Sequence, residues 1–137
     1  MINTIQIALS GLFASQKKLD ASASNIANIT TTGALNDPDH APYSALTTVQ
    51  ETITDNDGNT LGVKSDVIPG KTPFVPAYDP DSPFADENGV IGVPNVDLAE
   101  EAVNINLAKY SFQANLKVIE TTSELNEDLL KIFDGKV

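Results

Sequence analysis

"DLAEEAVNINLAKYSFQANLKVIETTSELNEDLLKIF", residues 97 to 133, contains neither proline nor glycine. Its residues recur in alternating steps of four and three: Leu98, Ala102, Ile105, Lys109, Phe112, Leu116, Ile119, Ser123, Asn126, Leu130 and Phe133. That spacing puts them on one helical face, as in a heptad seam. A flanking stripe of Val103, Leu107, Tyr110, Ala114, Val118, Thr121 and Leu125 widens the apolar face and asks for neighbours beyond one partner helix. Asp97 is placed to cap the first turn, and Glu100 and Glu101 suit the positive end of the helix dipole. A helix of this length runs on the order of 55 Å, too long for a compact domain of 137 residues. The spacing predicts an elongated molecule. Lys109 is expected to snorkel at a seam edge, and Tyr110 and Phe112 are expected in the core.

Upstream, all eight prolines fall between Pro38 and Pro94, so the other end is also free of the strongest helix breaker. There Ile2, Ile5, Leu9, Leu12, Gln16, Leu19, Ala23 and Ile26 repeat the same alternation, with Gln16 as one polar seat. Between the helices, "YSALTTVQETI" (43 to 53) and "LGVKSDVI" (61 to 68) flank the turn signal "DNDG" (55 to 58), which predicts a β-hairpin. "PGKTPFVPAYDPDSPF" is too rich in proline for a central strand and reads as extended chain or edge. "ADENGVIGVPNVD" reads as a turn, then a short apolar stretch leading into the last helix. The expected fold is mainly α, with long N- and C-terminal helices packed as a coiled coil, and with a central β-hairpin and a proline-rich extended segment. The expected division is 1–33 for the first helical segment, 34–96 for the middle and 97–137 for the second.

Charge and composition exclude several kinds of function. The net charge is −11, and residues 31–96 hold ten acids against two lysines. Nucleic-acid binding needs clustered cations, which are missing. The chain has no cysteine, hence no disulfide and no thiolate chemistry. No apolar run reaches the roughly 20 residues of a membrane span. The N-terminus lacks the basic n-region of a secretory signal, and Gln6, Ser10 and Ser15 interrupt its apolar residues. These signs alone would leave the protein in the cytoplasm.

Enzymatic chemistry has little to start from. The single histidine, His40, lies between Asp37 and Asp39 and is read as a solvated loop residue. "DNDGNTLGVKSD" (55 to 66) has acidic residues at Asp55, Asp57 and Asp66, but its glycine is fourth where a calcium loop needs it sixth. No phosphate-binding glycine loop and no nucleophile elbow is present. The expectation is a non-enzyme with no cofactor, no metal and no small-molecule substrate.

One stretch remains, "ASASNIANITTTG" (21 to 33), too polar for a core and too uncharged for a free surface. Ala21, Ser22, Ala23, Ser24 and Ala27 would let another helix approach closely, with Asn25 and Asn28 pairing there. The same residues equally suit a helix end fading into a loop, with Gly33 as its stop signal. "SNIAN" with Thr32-Gly33 behind it resembles the N-terminal signature of the flagellar rod and hook axial family. "PNVD" (94 to 97), opening a helix that contains "YSFQAN" (110 to 115), resembles that family's C-terminal signature. The segment "YDPDSPFADENGVIGVPNVD" and the absence of a large inserted domain are most like its proximal rod subunits. The chain departs from the pattern where the family usually has an arginine and a tyrosine before "QAN", here Tyr110 and Phe112, and where "GY" is usual, here Gly33-Ala34.

The resemblance implies a structural subunit of the bacterial flagellar basal-body rod, built into the axial drive shaft through its terminal helices. It implies export through the flagellar type III apparatus without a cleaved signal, which moves the protein from the cytoplasm to the rod in the periplasmic space. Its implied partners are copies of itself and other rod proteins, with no direct insertion into the membrane. The expected assembly interface comprises Leu9, Leu12, Leu19, Ser24, Asn25, Ala27, Asn28, Pro94, Asn95, Phe112, Gln113, Ala114, Asn115, Leu116 and Ile119. The alternative is a secreted coiled-coil binding module with an acidic loop that binds calcium weakly.

Overall fold

The computed structural model describes residues 2–135, the side chain of Ile2 excepted. Met1 and residues 136 and 137 of the expected terminal segments, and the Ile2 seat, lie outside the described residues. Helix α1 spans Ile2–Ala27 and helix α2 spans Leu98–Asp134. Between them come a 3₁₀ turn (Pro38–His40) and strands β1 (Leu46–Thr54), β2 (Thr60–Pro69), β3 (Phe74–Tyr78) and β4 (Val90–Pro94). Asp97 caps α2 as the sequence predicts: its Oδ1 accepts from the Ala99 and Glu100 amides at 2.7 and 3.3 Å. At the other end the Gly135 amide donates to the Lys131 carbonyl at 3.0 Å.

The two helices lie antiparallel, with Asn25 against Glu101 and Gly11 against Asn115. The inward positions on α1 are Ala8, Gly11, Ser15, Lys18, Ser22 and Asn25, each buried or half-buried. On α2 they are Glu101, Ile105, Ala108, Asn115, Ile119 and Thr122. The steps of three and four are those expected, but the seats are not. On α1 the inward face sits one residue earlier than the seam of large apolar residues. On α2 Ile105 and Ile119 stay inward, while Lys109 and Leu116 give way to Ala108 and Asn115. One residue is about 100° of helix rotation, enough to turn Leu9 and Leu19 outward.

Close approach explains the choice. A Cβ on Gly11 would meet the Asn115 amide at 2.6 Å, so the helices touch where the side chains are smallest. The buried apolar residues are correspondingly Ala8, Ala14, Ala21, Ala45, Ile91 and Ala108. Five alanines and one isoleucine bury little apolar area, at roughly 0.8 kcal/mol per CH₂ group. Leu9, Leu19, Phe112 and Leu116 stay exposed at about 40%.

Strands β1 and β2 form the expected hairpin, antiparallel, with Val49 opposite Asp66 and Glu51 opposite Lys64. It lies on α1. Ser10 Oγ accepts from the Val63 amide at 3.0 Å, and Lys17 donates to the Ser65 carbonyl and sits 3.6 Å from Asp66. Strands β3 and β4 make a second antiparallel ribbon, where the sequence predicts extended chain and a short apolar stretch. Both strands of a two-stranded ribbon are edges, so Pro76 and Pro94 are tolerated in it.

Gly33 does not stop the helix. Helix α1 ends at Ala27, where Asn28 Nδ2 caps the Ser24 carbonyl at 2.9 Å. Gly33 instead pairs with Gly92 of β4, exchanging amide–carbonyl bonds of 3.0 and 2.8 Å. A side chain there would run into the backbone of His40 to Pro42. The bridge fixes the loop after α1 to the ribbon before α2.

Candidate assembly surface

Asn25 is the buried joint of the molecule, 2% exposed. Its Nδ2 donates to the Leu46 carbonyl at 2.8 Å and to Glu101 Oε1 at 2.6 Å. Its Oδ1 accepts from the Leu46 amide at 2.8 Å and from the Tyr43 hydroxyl at 3.1 Å. The amide thus pairs with both backbone groups of Leu46 while gripping α2 through Glu101. Only a side chain with donor and acceptor at one tip can do this. Ser24 Oγ meets the same Tyr43 hydroxyl at 2.8 Å. Glu101 lies in the first turn of α2, as the sequence predicts, and is also buried in this clasp.

The expected interface residues therefore divide. Asn25 is occupied inside its own chain, and so is most of Ser24. Asn28 closes the end of α1, Pro94 is buried at the end of β4, and the Asn95 side chain donates to the Thr72 carbonyl at 2.9 Å. Asn115 is half-buried against Gly11, and Leu12 and Ile119 are half-buried. Leu9, Leu19, Ala27, Phe112, Gln113, Ala114 and Leu116 are open to solvent.

Tyr110 and Phe112 are not core residues. Tyr110 is 65% exposed, and the whole flanking stripe from Val103 to Leu125 faces solvent. Leu19, Ala108, Lys109, Phe112, Gln113 and Leu116, with Ser15 and Gln16, line a groove of about 350 Å³ between the helices. Tyr43 and Leu46, which complete the clasp, carry no signal in the sequence beyond lying in a strand-like run.

Elsewhere the polar groups are structural. His40 Nδ1 lies 2.8 Å from Asp37 Oδ2, both exposed, and this hydrogen bond holds the Asp37 carboxyl below its ordinary range. In the proposed calcium loop, Asp55 Oδ1 accepts from the Asp57 and Asn59 amides at 2.9 and 2.8 Å. That is a hairpin turn, and residues 60–66 belong to β2, with Asp66 paired to Lys64 at 2.7 Å. Asp86 in "ADENG" likewise accepts from the Asn88 and Val90 amides. Among the described residues no three His, Cys, Asp or Glu side chains gather as a metal site, and no helix is long and apolar enough to cross a membrane.

Comparison with known proteins supplies the context. Residues 5–34 match the family model described as flagella basal body rod protein. Residues 87–132 match the flagellar basal body rod FlgEFG protein C-terminal model. The chain is 37% identical over 126 residues to the flagellar basal-body rod protein FlgC of Salmonella typhimurium, covering 91% of this chain and 92% of that one. It is 36% identical to FlgC of Escherichia coli O157:H7 over the same shares. Against FlgC of Aquifex aeolicus it is 31% identical over 128 residues, covering 93% and 92%.

Proposed function

The chain belongs to the flagellar basal-body rod protein family and is of the FlgC type, and from that membership we propose that its paired helices pack through their exposed apolar face into the proximal rod. The protein is a structural subunit and not an enzyme. Its partners are copies of itself and other rod components. The observation that carries the packing surface is the inversion of size across the helix pair. Small and polar residues, with Ile105 and Ile119, make up the inside, while Leu9, Leu19, Phe112 and Leu116 remain outside. Each of the four is still about 40% exposed, so covering it gains that fraction of the roughly 1.5–3 kcal/mol that full burial of such a side chain is worth.

In this reading the terminal segments 1–33 and 97–137 join neighbouring helices as a coiled coil in the rod, and residues 34–96 lie beside them. The subunit is exported through the flagellar type III apparatus without a cleaved signal and occupies the rod within the periplasm, without entering the membrane. A thin alanine core and the absence of cysteine suit a chain that must unfold to be threaded and refold on assembly.

Leu116→Asp tests the surface. Leu116 is 41% exposed in the single chain, so the variant should fold with unchanged helix content. Once a neighbour covers it, an unpaired carboxylate costs several kcal/mol. A deletion strain complemented with this variant should make no rod and not swim; normal swimming would remove Leu116 from the packing surface.

A further inference from the structure

In an antiparallel pair alternate residues turn their amides and carbonyls away from the partner strand, and the contacts around β1–β2 fix which residues those are. Asn25 bonds both backbone groups of Leu46 from outside the ribbon. On the far strand Ser10 takes the Val63 amide and Lys17 the Ser65 carbonyl, also from outside. With Gln50 opposite Ser65 and Thr52 opposite Val63, the outward residues of β1 are Leu46, Thr48, Gln50, Thr52 and Thr54. Three of the four ribbon edges are blocked. Helix α1 covers that of β2, and Gly33 pairs with Gly92 on that of β4. Pro76, opposite Gly92, removes the outward amide at the middle of the β3 edge. The β1 edge is held only at Leu46. Among the described residues the outward backbone groups of Thr48, Gln50, Thr52 and Thr54 make no hydrogen bond, and the last three residues are exposed. No proline, glycine or lysine interrupts Leu46–Thr54, so nothing protects this edge from a further strand.

We propose that the open edge of β1 pairs antiparallel with the same edge of a second copy, about a two-fold axis at Thr52. A strand adds only to an edge that is itself open, and among the described strands of a second copy β1 alone qualifies. Contact of one edge with itself is isologous, so one residue must meet its own counterpart. Charge and the clasp choose that residue. An axis at Gln50 sets Thr54 of the second copy against Leu46, whose backbone groups Asn25 already holds. An axis at Glu51 sets two carboxylates directly opposite each other, which is repulsive. An axis at Thr52 does neither: Gln50 meets Thr54, and each Glu51 faces Ile53 of the other copy while Lys64 flanks it within its own ribbon. Moving the axis further toward the turn shortens the ladder. An isologous pair closes on itself, so this is a contact of the free chain, separate from packing through the terminal helices and independent of it.

The purified chain tests this. In sedimentation velocity over a concentration series it should pass from monomer to dimer and stop there. Because the chain has no cysteine, Thr52→Cys introduces a single thiol, which should oxidise to a disulfide-linked dimer, the facing Cα atoms of such a pair lying about 5.5 Å apart. Asn56→Cys, at the exposed turn, should stay monomeric under the same oxidation. Thr52→Pro keeps the β1–β2 ladder, since the amide it removes points outward. It takes away both bonds at the axis and should weaken the dimer by about tenfold. Gln50→Pro removes the next outward amide and replaces the first variant if that one's thermal midpoint falls. Leu116→Asp should leave the dimer unchanged. A chain that stays monomeric up to about 1 mM would overturn the proposal, as would a dimer that survives both proline variants. A dimer that Leu116→Asp abolishes would overturn it too, while leaving packing through the helices standing.

Discussion

A buried carboxamide is stable only when donor and acceptor are both engaged, and Asn25 engages both, to Leu46, Tyr43 and Glu101. Removing it strands the Leu46 amide, the Leu46 carbonyl and a buried carboxylate oxygen together. Each buried group left without a partner costs about 1–3 kcal/mol, so Asn25→Ala should lower the thermal midpoint sharply. Asn25→Asp should be as harmful, since it places a second carboxylate 2.6 Å from Glu101 where the amide now donates. Circular dichroism melts of the purified chains measure both. An unchanged midpoint in either would show that the clasp is not a source of stability. The sequence marks Asn25 as unusual, an amide among small residues with almost no charge around it. It does not reveal the partners, because Leu46 and Glu101 lie 21 and 76 residues away and neither carries a motif. Composition alone therefore points the amide toward a neighbouring helix, whereas its bonds are made within its own chain.

Helix periodicity survives translation from sequence to structure better than helix rotation does. Both long helices, the Asp97 cap and the β1–β2 hairpin were legible, because proline exclusion, spacing and turn chemistry are local. Which face turns inward was not. The seam of large residues, from Leu9 to Leu19 and from Lys109 to Leu116, lies one residue away from a seam of small ones. Periodicity alone cannot choose between the two, and in the single chain close approach selects Gly11, Ser15, Ser22 and Ala108. The β3–β4 ribbon escaped notice for a related reason: proline argues against a central strand and is neutral about a two-stranded edge. The rotation can be tested by bulk placed on either face. Gly11→Leu fills the space held by the Asn115 amide, and overpacking of this kind costs about 1–3 kcal/mol, so its thermal midpoint should fall. Ala27→Leu adds nearly as much bulk at an exposed position and should leave the midpoint alone while reducing swimming in a complemented strain. The reverse pattern would mean that the inward face has been misplaced.

As a whole the molecule is a helix pair closed by small and polar residues, with a hairpin laid against α1 and most of its large apolar side chains unburied. Stability of a single chain is thin on this plan, and in the proposed packing neighbours supply the missing apolar burial. Family membership and the exposed stripe from Val103 to Leu125 support the proposal that the subunit completes its core by joining the rod. Hydroxyl-radical footprinting of the free chain and of isolated basal bodies, read by mass spectrometry, tests this most directly. Tyr110, Phe112, Leu116 and Phe133 should be labelled readily in the free chain and protected in the rod, whereas Tyr43, half-buried in the clasp, should be labelled equally in both. Equal labelling of those four side chains in the free chain and in the rod would contradict burial of the outer face on assembly.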